Sequence, residues 1–252
     1  MAFDAWRLAV GTLTVIPVRP PVEVDRPIAA RAMVMAPLAA IPLAALVAFL
    51  GWLGWMVSLP SLLVGLLMVA TLALGSRALH LDGLADTFDG LGATGSRERA
   101  LAIMKRGDIG PMGAVALIVV LAAQAVAFGA VVEGPRGAIT AGLVVCCSRA
   151  VLPVACRRGV PAARVNGLGV AVLGSVPPVV AWGVWLSAQV VLVAAAALSA
   201  RWWLGLVGGV LSITAVLILV RGAVSRLGGS TGDVLGATVE IALAIMIGCV
   251  AA

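Results

Sequence analysis

The chain has 252 residues, 62% of them hydrophobic and only 11% charged, with 17 lysines and arginines against 11 aspartates and glutamates for a net charge of +6. A soluble domain is about half apolar and a quarter charged, so this composition excludes one and identifies an integral membrane protein. A hydrocarbon core about 30 Å thick takes about 20 helical residues to cross, and these runs lack the alternation of barrel strands, so the expected fold is all-α: a polytopic helical bundle forming a single integral membrane domain over residues 1–252.

In chain order, the opening MAFDAWRLAVGTLTVIPV imitates a signal peptide, but Asp4 and Arg7 interrupt its apolar run and no small-residue cleavage site follows. Asp4, Arg7, Gly11 and Thr14 share one narrow stripe of a helical wheel, which predicts an N-terminal helix lying in the interface rather than crossing it. Spans are predicted at residues 34–57, 61–78, 113–132, 138–155, 178–200, 202–220 and 234–252, about seven in all. Pro177 and Pro178 break the long apolar region near its front, so residues 170–176 read as a re-entrant or interfacial lead-in. Cys146, Cys147, Cys156 and Cys249 form no CxxC pair and read as small apolar packing residues.

Alternating these spans from a cytoplasmic N-terminus collects fourteen of the 17 basic residues on one side: Arg7, Arg19, Arg26 and Arg31; Arg77, Arg97, Arg99, Lys105 and Arg106; Arg157, Arg158 and Arg164; Arg221 and Arg226. The positive-inside rule makes that side the cytoplasm, with the C-terminus outside. All the carboxylates except Glu133 fall on or just inside the same face, which that rule does not explain, because acidic residues contribute little to topology.

The stretch LHLDGLADTFDGLG holds three of these carboxylates. Asp82, Asp86 and Asp89 are spaced by four and three, so on one helix they fall within about 60° of one another. Like charges on one face beside hydrocarbon must be protonated, neutralised by a cation, or left as a solvated rim. A hard divalent ion, Mg²⁺ or Mn²⁺, suits these oxygen donors, since no thiol or imidazole cluster has zinc-like spacing. His80 projects about 160° from Asp82 on an unbroken helix and joins the metal face only if the chain bends at Gly83. It either packs as an amphipathic ring or touches a phosphate.

Two later segments extend the site. IMKRGDIGPMG sets Lys105, Arg106 and glycine backbone N–H groups before a span, a loop suited to phosphate oxygens. LGGSTGDVLGATVE leads into the last span, where Thr231 or Asp233 serves as an N-cap, while Glu240 lies two turns into apolar helix, beyond the reach of any cap. Carboxylate-held Mg²⁺ with cations for phosphate implies metal-assisted phosphoryl transfer, with no substrate named by these residues.

The motif HLDGLADTFDG, the IM-basic loop ending GPMG and the late LGGSTGDVLGA, in that order after an N-terminal TVIPVRPP, resemble the cobalamin 5'-phosphate synthase family, also called adenosylcobinamide-GDP ribazoletransferases. The resemblance implies a Mg²⁺-dependent enzyme of the prokaryotic cytoplasmic (inner) membrane, with its active site facing the cytoplasm. A hydroxyl of α-ribazole or its 5'-phosphate attacks the cobinamide-side phosphorus of adenosylcobinamide-GDP, and GMP leaves. It implies that Asp82, Asp86 and Asp89 are the acidic metal motif and Asp233 and Glu240 the C-terminal acidic pair. The catalytic and metal-holding set is then Asp82, Asp86, Asp89 and Asp233, with His80, Lys105, Arg106, Thr231 and Glu240 on the substrate. Expected partners are the two substrates, the lipid bilayer, and a second copy or other corrinoid-pathway enzymes, with no nucleic acid. Two departures stand out. Arg106 and Gly107 replace the family's Asp-Ser or Asp-Pro, with Asp108 two residues later, and Val165-Asn166 replaces an acidic pair after Arg164, which leaves that loop outside the metal set. The competing readings are a CDP-alcohol phosphotransferase, whose motif order is absent, and an ion-coupled transporter, which calls for charges at the bilayer midplane.

Overall fold

The computed structural model describes residues 2–199 and 201–252, which are 76% helical with no strands. The helices are α1 (Ala2–Leu13), α2 (Arg26–Val34), α3 (Ala36–Ala39), α4 (Ile41–Met56), α5 (Ser61–Gly75), α6 (Leu79–Gly92) and α7 (Arg97–Ile103). They continue with α8 (Pro111–Val131), α9 (Pro135–Arg149), α10 (Val151–Ala155), α11 (Leu168–Val172), α12 (Pro178–Ala197), α13 (Trp202–Leu227) and α14 (Gly232–Ala251).

Local chemistry sets many of the ends. Pro111, Pro135 and Pro178 each open a helix, where the missing N–H costs nothing. Asp25, Ser96 and Thr231 cap α2, α7 and α14 through side-chain oxygens that accept from Ile28, Arg99 and Val234 N–H. Gly228, at φ 72°, closes α13 in the left-handed region.

Five helical stretches are long and apolar enough to cross a membrane: α8, α9 with α10, α12, α13 and α14. The predicted span at 61–78 takes a different form: α5 ends at Gly75 and joins α6 at a 90° bend, and the pair counts as a sixth crossing only when taken together. The predicted span at 34–57 is divided at Met35 and Ala40, leaving a 16-residue apolar helix, α4. The helical membrane bundle is therefore as expected, while two of the seven predicted spans are short or bent. The expected end of another, at Ala200, lies outside the described residues. At 12 residues α1 is too short to cross, and it packs against α2 and α3 through Ala5, Leu8 and Ala9. The predicted lead-in at 170–176 takes in the end of the short α11 and a bridge from Val176 to Arg157.

The centre of the bundle is α14, two-thirds (67%) of whose apolar window is buried against α6, α8, α9 and α13, whereas α12 is 28% buried and turns its apolar face outward. Lipid offers no hydrophobic gain for bringing helices together, so close packing and small residues do that work. An ideal Cβ on Gly142 would lie 2.9 Å from the carbonyl oxygen of Ala44, and one on Gly65 would collide with that of Ala125, joining α9 to α4 and α5 to α8.

Candidate active site

Two consecutive non-glycine residues at the α5–α6 bend, Arg77 and Ala78, have φ of 55° and 54°. The left-handed region costs an L-residue about 1–2 kcal/mol, so surrounding contacts must hold the bend. The Ser76 hydroxyl donates to the Leu72 carbonyl at 2.8 Å, and Arg77 Nη2 donates to the Gly11 carbonyl at 2.5 Å, tying the bend to α1.

From the bend, α6 runs unbroken alongside α14 in the opposite direction. His80 lies beside Gly236 and Glu240, Gly83 lies against Asp233, and Asp89 reaches the start of α8. Glycines make this approach possible: a Cβ on Gly83 would stand 2.6 Å from the Asp233 carbonyl oxygen, and one on Gly236 3.1 Å from His80 Cα.

The three aspartates of α6 have different environments. Asp82 is exposed and Asp86 half-buried, and neither makes a hydrogen bond among the described residues. Both lie within electrostatic reach of Asp233 on α14. Asp89 is buried, and its Oδ2 and Oδ1 accept from the backbone N–H groups of Gly110 at 2.7 Å and Gly113 at 2.9 Å. It is the anion at the N-terminus of α8, where free N–H groups and the helix dipole favour negative charge. The glycine N–H groups expected to face a phosphate therefore face Asp89 instead.

Asp233 Oδ2 lies 3.1 Å from Arg164 Nη1 and accepts from the Thr231 hydroxyl at 3.2 Å. Thr231 also accepts from Val234 N–H at 3.3 Å, so the capping alternative holds for that residue. The loop carrying Arg164 is built onto the start of α14: Ala163 N–H donates to the Ser230 carbonyl and Ser230 N–H to that of Pro161, both at 2.8 Å. Only a glycine at 229 allows this, because a Cβ there would lie 2.5 Å from Ala162 C and Ala163 N. Arg97 Nη2 donates to the Ala163 carbonyl at 3.1 Å and fastens the loop to α7.

Lys105 and Arg106, expected together on phosphate, line different cavities. Lys105 shares one of about 480 Å³ with Glu98, Arg164 and Asn166, while Arg106 shares one of about 350 Å³ with Asp89 and Asp108. His80 and Glu240, expected on substrate, lie inside the bundle, with His80 Nδ1 3.7 Å from Glu240 Oε1. Gln124 Nε2 donates to Glu240 Oε2 at 2.8 Å. Arg149, fully enclosed in α9, is close enough for its charge to act on Glu240 and donates to Ser148 Oγ at 2.8 Å. Buried together inside the bundle, these groups offset one another's charge and polarity, which hydrocarbon would penalise.

Among the described residues, no three imidazole, thiol or carboxylate groups stand close enough to share one metal ion. Mg²⁺ is commonly held by one or two carboxylates together with substrate phosphates. Asp82 and Asp86, both hydrogen-bond-free with Asp86 half-buried, fit that chemistry beside Asp233, and each oxygen of Asp89 already accepts one backbone N–H.

Arg164, Arg149 and Gln124 are participants the sequence reading missed. An arginine and a glutamine inside apolar runs are signals in themselves. For Arg164 no local signal exists, because its partner lies 69 positions away.

The family model described as cobalamin-5-phosphate synthase matches residues 5–251. An adenosylcobinamide-GDP ribazoletransferase of Nocardioides sp. is 49% identical over 96% of this chain and 95% of its own. One from Frankia casuarinae is 36% identical over 94% and 91%, and one from Corynebacterium efficiens is 32% identical over 94% and 87%. No solved structure matches the chain.

Proposed function

The chain belongs to the cobalamin-5-phosphate synthase family, and we propose that it joins adenosylcobinamide-GDP to α-ribazole or α-ribazole 5'-phosphate with release of GMP. The observation that carries this reading is the packing of α6 on α14, with Gly83 against Asp233, which brings Asp82 and Asp86 within electrostatic reach of Asp233 beside Arg164.

In this reaction a hydroxyl oxygen of the ribazole forms a bond to the cobinamide-side phosphorus and gives up its proton. The bond from that phosphorus to the bridging oxygen breaks, and GMP departs with the electron pair. The barrier is mostly one of placement and charge. Lys105 and Arg164 share a cleft and present two cations to the diphosphate oxygens. Asp233, held by Arg164 and Thr231, keeps its carboxylate facing the pair on α6. Asp89 holds the start of α8 against α6 and so fixes the height of Asp82 and Asp86 in the bundle. Asp82 and Asp86, beside Asp233, are the residues that would hold Mg²⁺ together with substrate phosphate oxygens, and the ion when bound would offset charge on those oxygens.

The site faces the cytoplasm in this reading. Arg97, Lys105, Arg164 and Arg226 crowd the end that bears the aspartates, with Arg226 Nη2 donating to the Ala93 carbonyl at 2.7 Å, and basic residues concentrate on the cytoplasmic side of bacterial membranes. The decisive experiment supplies purified protein in detergent with adenosylcobinamide-GDP and α-ribazole 5'-phosphate, with and without Mg²⁺. GMP and the joined corrinoid are followed together. Equal amounts of both, only with Mg²⁺, are expected. Product undiminished after chelation refutes the metal role, and no product from folded protein refutes the reaction.

A further inference from the structure

A cavity of about 470 Å³ opens between α2, the segment after α11 and the start of α12, away from the aspartates. Arg26, Arg31 and Arg158 line it, all three exposed, and no carboxylate does. None of the three makes an ion pair or side-chain hydrogen bond among the described residues. Three unpaired guanidiniums around one cavity repel each other and call for an anion.

The cavity continues into hydrocarbon. Val34 and Val180 belong to its wall and also to that of a second cavity, of about 630 Å³, which runs along α12 between α9 and the stretch from the end of α2 through α3 to Ile41. Leu38, Ile41, Leu143, Val184 and Val191 line this groove without any charged side chain, and the Ser187 hydroxyl turns away to donate to the Gly183 carbonyl at 2.9 Å. From Val180 to Val191 the groove follows the helix for about 16 Å at 1.5 Å per residue. That is about half of a 30 Å hydrocarbon core, one leaflet deep. The basic end lies where α12 begins, at the edge of its apolar run.

We propose that these two cavities form one binding site for an anionic phospholipid, its phosphate on Arg26, Arg31 and Arg158 and one acyl chain in the groove along α12. Charge complementarity selects the headgroup: a guanidinium fork pairs two phosphate oxygens at once, and no protein carboxylate competes. The groove selects a lipid over a soluble phosphate, because a nucleotide or free phosphate leaves its apolar wall uncovered.

The test is native mass spectrometry of detergent-purified protein given equal concentrations of phosphatidylglycerol and phosphatidylcholine. Wild type is expected to retain one phosphatidylglycerol in preference. Arg31→Ala combined with Arg158→Ala, both at exposed positions, is expected to lower that retention by at least about tenfold. Val184→Trp, which fills the groove and leaves every arginine in place, is expected to lower it as well, so the proposal does not depend on the fold of one variant. Inorganic phosphate at millimolar concentration is expected not to displace the lipid. Equal retention of the two lipids by wild type overturns the proposal, as does undiminished phosphatidylglycerol on the double variant. Displacement by phosphate together with an indifferent Val184→Trp also overturns it and identifies a soluble-anion site.

Discussion

Arg164 Nη1 lies 3.1 Å from Asp233 Oδ2, and this contact joins a loop 69 positions upstream to the first turn of α14. Both side chains are about a quarter exposed, so the pair is only partly screened, and its loss costs about 1 kcal/mol. Its larger consequence is electrostatic. Arg164→Ala leaves Asp233 facing Asp86 and Asp82 with no protein cation among them. Added Mg²⁺ is therefore expected to raise the unfolding temperature of the variant by more than that of wild type, measured by tryptophan fluorescence in detergent. Equal shifts in the two proteins would show that Arg164 does not offset these carboxylates.

The three aspartates of α6 separate by environment. Asp82→Asn and Asp86→Asn are expected to lower turnover by about 100-fold or more without lowering the unfolding temperature, because neither carboxylate bonds to the protein and the loss of either charge relieves repulsion with Asp233. Asp89→Asn places an amide NH₂ opposite one of two backbone donors, Gly110 or Gly113 N–H, and is expected to cost about 1.5–3 kcal/mol of stability. Thermal unfolding beside a GMP-release assay distinguishes the two classes. A fully stable, inactive Asp89→Asn would return Asp89 to the metal set.

Gly83 sets the separation of α6 from α14. In Gly83→Ala the new methyl would stand 2.6 Å from the Asp233 carbonyl oxygen and 3.0 Å from its Cα, so one helix must move. Overpacking of this kind costs about 1–3 kcal/mol, and turnover is expected to fall by at least about tenfold through displacement of Asp82 from Asp233. Gly222→Ala is the control: nothing lies within 4 Å of a Cβ there, and its activity is expected to match wild type.

Glu240 is enclosed with His80, Gln124 and Arg149. Glu240→Ala leaves the Arg149 charge buried without its counter-charge and is expected to cost about 3–5 kcal/mol. Glu240→Gln, which keeps the hydrogen bond to Gln124, should cost less. Denaturation of both variants in detergent tests this: equal losses would mean that the hydrogen bond to Gln124 adds nothing, and a Glu240→Gln variant as stable as wild type would mean that Arg149 does not depend on the carboxylate charge.

Ala78→Gly is expected to stabilise the protein by about 1 kcal/mol, since the exposed methyl group makes φ 54° costly and glycine adopts that conformation freely. An unchanged or lowered unfolding temperature would place the strain elsewhere.

Much of this was readable from residue order. The apolar runs located the long helices, Pro177-Pro178 marked the true start of α12, and the cap of α14 was narrowed to Thr231 or Asp233. The spacing of Asp82, Asp86 and Asp89 correctly placed them on one continuous helix. These features depend on neighbours within about two turns, where periodicity and capping act.

The sequence by itself determined a helical membrane protein and predicted most of its carboxylates at one face, because hydrocarbon tolerates only helices with satisfied backbones and excludes unpaired charge. Only the tertiary structure decided which carboxylates are open. Asp82, Asp86 and Asp89 share a helical face, yet Asp89 alone meets the start of α8, a contact set by how three helices pack. It also decided the bend at Arg77 and Ala78, two residues whose types do not announce a left-handed backbone and which the contact of Arg77 with Gly11 helps hold. The same is true of Arg164 and of the pairing of His80 with Glu240: partners so far apart in the chain are selected by distance and burial, and those arise only when the bundle closes.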